Sequence, residues 1–496
     1  MIPPDAGREV ADTLLLSLHL VVWLVLAAYG LHRVHLLRLH RRGVNAAREP
    51  APAPRSAGRE WPRVTIQLPI YNERYVVDRL LEAAATVDYP RDRLEVQVLD
   101  DSTDETRTLV ERKVADLRER GVDVALVRRP SRDGFKAGAL QHGLEIAKGD
   151  LLAIFDADFV PPPGMLREIV PHFEDERVGM VQARWEHLNR DYSFLSRAQA
   201  ISLDGHFLVE HTARMSGHRF FNFNGTAGIL RKACVRDAGG WHSDTLTEDL
   251  DLSYRAQLRG WRFVFVPQVA CPAELPVEMN AFKAQQHRWV KGSIQVARKL
   301  LPGIWRSDLP VGVKVDATFH LTYNAAYVAL FVLAIIVYPV VLARYESRSL
   351  WFTVADTILL VAATLPVLAY FIYAQKLARR GSWRELRYVP LVMSLGIGLA
   401  VNNTRAVLEG LFGSGGTFHR TPKFHIERPR DGWRGKLYRS SWDAWGLLEL
   451  ALGLYFAWTV YSLAHAGLYA PIPFFGLYLF GFLYVGCLSL THARRG

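Results

Sequence analysis

The sequence predicts a mostly parallel α/β domain inserted in an α-helical transmembrane bundle. Three observations predict it: apolar and charged residues are segregated along the chain, a central stretch alternates short apolar strands with helical segments, and long apolar runs flank that stretch. Half of the residues are apolar while 22% are charged, and the mean hydropathy is +0.04. One uniform soluble domain fits those figures poorly, and 496 residues exceed one ordinary hydrophobic core.

The first apolar run, Thr13 to His32, is broken only by His19. At about 1.5 Å per residue it can cross a hydrocarbon core of about 30 Å. Arg33, Arg38, Arg41 and Arg42 follow it, and no small-residue cleavage site stands out. An uncleaved anchor with its basic flank inside is therefore expected rather than a signal peptide. Residues 44–60, rich in Ala, Pro and Arg, read as a linker.

From Trp61 to about Leu301 the texture changes. Strands are expected at Val64–Leu68, Leu94–Leu99, Val124–Val127, Leu151–Phe155 and Val178–Ala183, with helices over Glu105–Arg120 and Lys136–Ala147. That alternation predicts parallel pairing, and in such sheets ligands bind at the carboxyl ends of the strands.

Four later runs are long enough to span: Ala317–Ala343, Leu350–Ala374, Ala444–Ala466 and Tyr469–Leu490. The segments 376–387 and 413–442 are both rich in Lys and Arg and should lie on one face. Residues 388–412 between them must then enter and leave on that face, as an interfacial or re-entrant helix. Five spans result. The expected division is an anchor with basic flank (1–43), a linker (44–60), the α/β domain (61–301), an interface segment with two spans (302–387), the interfacial helix with a loop (388–442), and two spans with a basic C-terminus (443–496).

The net charge of +11 admits nucleic acid, anionic lipid or phosphorylated ligands. No zinc-ligand spacing, aromatic RNA-binding signature or basic repeat is present, so nucleic acid is set aside and basic loops at a lipid bilayer account for the excess. Cys234, Cys271 and Cys487 are far apart, which points away from a disulfide framework and toward a reducing compartment.

Acids mark the strand ends. The first strand runs into Tyr71-Asn72-Glu73 and the second into Asp100-Asp101. Acids after a strand are often turn formers or helix caps, yet two adjacent carboxylates repel unless they serve a ligand or a cation. The fourth strand ends in Asp156-Ala157-Asp158. Such a pair can converge on a hard cation, Mg²⁺ or Mn²⁺, shared with substrate phosphates. A D-x-D alone arises by chance in many chains; behind a strand it carries more weight. Thr247-Glu248-Asp249 offers a general base, or a helix start with Thr247 as cap. Gln285-Gln286-His287-Arg288-Trp289 adds a guanidinium suited to phosphate and a flat indole suited to a sugar ring.

These four elements, in this order, resemble the processive branch of glycosyltransferase family 2. The stretches VLDDSTD, GFKAGAL, AIFDADF, VQARW, FNGTAG, TEDLDL and QQHRW over roughly residues 61–300 are similar to the cellulose synthase-like A group, the glucomannan and mannan synthases. Phe418-His419-Arg420-Thr421-Pro422-Lys423 resembles the F-x-V-T-x-K gating loop of cellulose synthases, with Arg420 in place of the valine.

The resemblance implies a GT-A type nucleotide-sugar transferase domain. It implies donor contacts from Tyr71, Glu73, Asp100, Asp101, Lys136, Asp156 and Arg288, and metal ligation by Asp156 and Asp158. It makes Asp249 the base, with Glu248 the alternative, and gives the acceptor Asn224, Gly225, Thr226, Gln285 and Trp289. Phe418, Thr421 and Lys423 would form the gating loop. The expected activity is inverting synthesis of a β-linked polysaccharide of β-1,4-glucan, mannan or glucomannan type, with translocation of the product. The donor is left open among GDP-mannose, GDP-glucose and UDP-glucose, and a bacterial inner membrane with a cytosolic catalytic domain is the expected setting. The alternative is transfer of one hexose to a lipid such as diacylglycerol, giving a glycolipid. Transport without catalysis and an inactive partner subunit are disfavoured by the intact acid set.

Overall fold

The computed structural model describes residues 4–46, 60–347, 350–378, 383–413, 416, 420–438 and 443–493. Most of the expected linker, Phe418 and the Arg494–Arg495 tail lie outside the described residues.

Seven strands form one sheet: β1 (Val64–Ile70), β2 (Leu94–Asp100), β3 (Val124–Val127), β4 (Leu151–Ile154), β5 (Val178–His187), β6 (Gly228–Arg231) and β7 (Arg262–Ala273), in the order β3-β2-β1-β4-β6-β5-β7. The pairs β1–β2, β1–β4, β2–β3 and β5–β7 are parallel, and β6 runs antiparallel between β4 and β5. The five expected strands are present, joined by β6 and β7, which the sequence does not signal. Four residues give β6 too little periodicity to read. β7 carries Pro267 and Pro272, which argue against a strand except at a sheet edge, and β7 is that edge. Apolar side chains fill both faces: Ile66, Leu68, Val96 and Val98 pack on one side, and Leu152, Ile154, Leu230 and Phe265 on the other.

The first helix is longer than the run Thr13–His32, covering Pro4–Ala46. Its 34-residue candidate span, Val10–Gly43, measures about 51 Å at 1.5 Å per residue, so it outreaches the hydrocarbon core and carries its basic flank beyond it. There His32 and His35 meet the buried Asp316, at 2.9 and 3.1 Å. The other candidate spans are Val311–Arg344, Leu350–Leu377, Trp445–His465 and Ile472–His492. Helices Val389–Gly398 and Ala400–Phe412 are bent by 51° at Leu399, the form of a broken or re-entrant segment. The long helix Met279–Arg306, which carries Gln285–Trp289, packs on Glu248–Leu258 of the α/β domain and on Val311–Thr322, Ala400–Phe412 and Ile472–His492. Its buried Lys283 pairs with Glu449 of Trp445–His465 at 2.7 Å.

Candidate active site

The carboxyl ends of β1, β2, β4 and β7 open on one cavity. Tyr71, Glu73, Asp101, Lys136, Asp156, Asp158, Asn224, Gly225, Glu248, Asp249, Gln285, Arg288, Trp289, Thr421 and Lys423 all line it. Residues scattered from position 71 to position 423 thus face one space.

Two residues expected at the ligand do not line this cavity. Asp100 does not line the cavity: its buried carboxylate accepts from Arg128 Nη2 at 2.9 Å and from the Ser102 N–H at 3.0 Å. Being the last residue of β2, it points to the opposite face from Asp101. Thr226 is fully buried behind the wall, where its hydroxyl accepts from the Asp156 N–H at 2.9 Å. It holds the D-x-D turn.

Asp101 is gripped by Arg129, whose Nε lies 3.1 Å away. Arg132 stacks its guanidinium 3.4 Å above the Tyr71 ring. Sequence reasoning missed both arginines; the run Arg128-Arg129 and Arg132 ahead of Lys136 was visible only as charge. Lys136 donates to the Gly225 carbonyl at 2.9 Å and lies 2.6 Å from Asp156 and 4.0 Å from Glu248. Burial works against its charge, but Asp156 and Glu248 outweigh it and hold the ammonium above its ordinary pKa.

Glu248 and Asp249 open the helix Glu248–Leu258. Thr247 occupies the cap position but makes no capping bond. It is pressed instead against Gly292 of the helix Met279–Arg306, where a Cβ would come within 2.5 Å of the Thr247 methyl. Asp249 accepts from the Leu250 N–H at 2.8 Å. Burial and then the charge of Glu248 push its carboxyl up to about 7, against the pull of Lys136. Gly225, at φ +79°, lets the chain pass close by: a Cβ there would stand 2.9 Å from Asp249 Oδ2. Burial lowers the pKa of Arg288, while Glu248 and Asp156 work against that.

The segment 420–438 covers the cavity. Lys423 lies 2.6 Å from Asp158 and donates to the Glu274 carbonyl at 2.7 Å, and the Phe424 N–H donates to Glu274 Oε1 at 2.8 Å. Arg420, at the position where the gating-loop pattern has valine, pairs with Glu73 at 3.0 Å and stacks on Tyr438 at 4.1 Å. Burial pushes Glu73 up to about 8, although Arg420 draws it down. The docking role of Glu274 was not legible, since it follows a strand that the prolines disguised.

Asp156 and Asp158 are hard oxygen donors at a strand end, each now neutralised by a lysine, and so fit a divalent cation arriving with a diphosphate. A second group, His242, Asp244 and Asp251, also has ligand-like packing. Lys299 lies 2.8 Å from Asp244 and 2.9 Å from Asp251, and Arg255 lies 2.7 Å from Asp251. With Lys299 and Arg255 the group forms an ion-pair hub.

A mostly parallel sheet that gathers carboxylates and cations at its carboxyl edge, beside helices long and apolar enough to span a bilayer, is the arrangement of a GT-A type fold. Residues 62–292 match the family model "Glycosyltransferase like family 2". The chain is 40% identical over 281 residues to probable glucomannan 4-beta-mannosyltransferase 4 of Oryza sativa subsp. japonica, covering 55% of this chain and 51% of the relative. It is 43% identical over 252 residues to glucomannan 4-beta-mannosyltransferase 2 of Arabidopsis thaliana, covering 50% and 47%. The chain thus spans about half the length of the curated relatives it matches. Among solved structures it is similar in fold to a mannosyltransferase from Pyrobaculum calidifontis in complex with GDP-Man and Mn²⁺, with a TM-score of 0.52 and 23% identity. That likeness covers 74% of this chain and 99% of that one.

Proposed function

We propose that the chain is a membrane-integrated inverting hexosyltransferase that extends a β-linked polysaccharide of mannan or glucomannan type, with GDP-mannose as donor. One observation carries this reading: Asp101, Asp156, Asp158, Asp249 and Arg288, from four separate elements, face a single cavity against the bilayer-side helix. The mannosyl specificity rests on the relatives named above.

Asp249 takes the proton of an acceptor hydroxyl, whose oxygen attacks the anomeric carbon from the face opposite the diphosphate. The bond from that carbon to the diphosphate oxygen breaks, its electron pair leaving with the nucleotide. Lys136 and Arg288 meet the charge that grows on the leaving group. A divalent ion, Mg²⁺ or Mn²⁺, would be held by Asp156 and Asp158 and supplies further neutralisation of the diphosphate. Tyr71, Asp101 and Arg132 hold the nucleoside, Trp289 and Gln285 the acceptor sugar. An α-linked donor then gives a β-linked product. Thr421 and Lys423 belong to a strap that leaves the carboxylates when donor enters. The α/β domain lies on the cytosolic side, with the basic loops, in a bacterial inner membrane.

Purified protein in lipid nanodiscs, offered GDP-mannose, GDP-glucose and UDP-glucose in turn with Mg²⁺ or Mn²⁺, tests this directly. Linkage and size analysis should find a β-1,4-linked chain from GDP-mannose, lost on chelation and restored by the ion. A single glycolipid, or no transfer from any donor, would overturn the reading.

A further inference from the structure

Asn224 lines the cavity, and the side chains behind it take no part in the reaction above. The helix Phe194–Asp204 passes into a π-helical turn, Gly205–His211. Its i→i+5 repeat places residues five apart on one side, and the rings of His206 and His211 accordingly lie 4.4 Å apart, centroid to centroid. Both grip one carboxamide. His211 Nε2 lies 2.6 Å from Asn224 Oδ1, and Asn224 Nδ2 lies 2.9 Å from His206 Nε2.

The amide fixes the tautomers. Its Nδ2 donates, so His206 accepts at Nε2 and carries its proton on Nδ1, which faces Glu210 at 3.4 Å. His211 donates from Nε2. Burial holds both imidazoles neutral, His206 well below its ordinary pKa and His211 down to about 4. Glu210 in turn accepts from Tyr370 Oη at 2.9 Å and pairs with Arg33. Two spanning helices thereby brace the turn. The Asn224 backbone N–H is held as well, by Gln182 Oε1 at 3.0 Å.

A carboxamide has two N–H donors and two acceptor sites. The histidines take one of each. One N–H and one lone pair remain on a side chain that lines the cavity, one residue from Gly225 and hence beside Asp249. Each of the two suits a sugar hydroxyl, which can accept from the N–H or donate to the lone pair. We infer that His206 and His211 are positioning residues for the acceptor sugar, setting the Asn224 carboxamide so that it orients an acceptor hydroxyl toward Asp249. The inference rests on the reading of this cavity as a glycosyl-transfer site.

The test compares two fates of the same donor: transfer to an added manno-oligosaccharide, and hydrolysis by water. In full-length protein in nanodiscs, His211→Leu and His206→Leu should lower transfer about 100-fold, the scale of a misplaced reactant. The donor KM and the hydrolysis rate should stay within about twofold, since neither depends on a placed acceptor. His211→Gln restores an amide N–H for Asn224 and should recover transfer to within about threefold of the unsubstituted protein, the loss from one misplaced hydrogen bond being small beside that of a lost one. Equal loss of transfer and hydrolysis, a raised donor KM, or full transfer by the leucine variants would overturn the inference. If those variants do not fold, His211→Gln decides it alone: near-normal transfer supports the clamp and lost transfer refutes it. An unsubstituted protein that transfers no sugar would instead refute the functional reading itself.

Discussion

At the scale of single residues, the chemistry turns on carboxylates whose surroundings differ. Asp249, partly buried, sits beside the buried Glu248, and its carboxyl is raised to about 7. A general base must be ionised to act, so transfer should rise with pH through about 7 and level off above it. Removing the neighbouring charge lowers the cost of ionising Asp249. Glu248→Gln should therefore move the rising limb of the kcat/KM profile to lower pH, and an unmoved limb would show that Asp249 is not the titrating group. Asp249→Asn should reduce transfer by about 10²–10⁴-fold while leaving donor binding by calorimetry unchanged.

Single residues also differ in how legible they are from sequence. Asp156, Asp158, Glu248 and Asp249 were legible because each acid follows a strand or opens a helix, and position alone aims it at the carboxyl edge. The pair Asp100 and Asp101 could not be divided by sequence. Strand alternation sends them to opposite faces, but only the structure shows that Arg128 waits behind one and the cavity before the other. Arg129, Arg132 and His206 were illegible for a different reason: they act through partners far away in the chain, which no local spacing encodes.

At the scale of elements, the helix Met279–Arg306 couples the sheet to the bundle. It presents Gln285, Arg288 and Trp289 to the cavity and anchors itself through Lys283 to Glu449, with Ser489 donating to the same carboxylate at 3.1 Å. Both ions are buried. Removing one partner of a buried pair leaves an uncompensated charge, a loss of about 3–5 kcal/mol, whereas replacing both by apolar residues can be nearly neutral. Glu449→Leu should lower the melting temperature in detergent sharply, and Lys283→Met with Glu449→Leu should recover most of it. Equal losses in the single and double variants would show that the pair does not hold the helix. Among the elements, β1, β2 and β4 were readable because parallel strands buried on both faces are continuous apolar runs. β7 was hidden by Pro267 and Pro272, tolerated because the strand lies at the sheet edge. The first span reads short when its end is set where the basic residues begin. The helix continues through them, since Arg33 finds Glu210 on the α/β domain and His32 and His35 find Asp316.

At the scale of the whole molecule, the α/β domain rests on its helices so that the cavity proposed for sugar transfer and the candidate membrane spans are joined through the helix Met279–Arg306. Asn224, Gln285 and Trp289 form part of the cavity wall, the side from which a growing chain would arrive. The central claim is that residues 71 to 423 converge on one sugar nucleotide. A cryo-EM structure of the Asp249→Asn protein in nanodiscs with GDP-mannose and Mn²⁺ tests it most directly. The account predicts the nucleoside against Tyr71 and Asp101, the ion at Asp156 and Asp158, the diphosphate by Lys136 and Arg288, and the substituted side chain at position 249 beside the anomeric carbon. Nucleotide density in any other place, or density that leaves Asp158 and position 249 facing separate ligands, would contradict it.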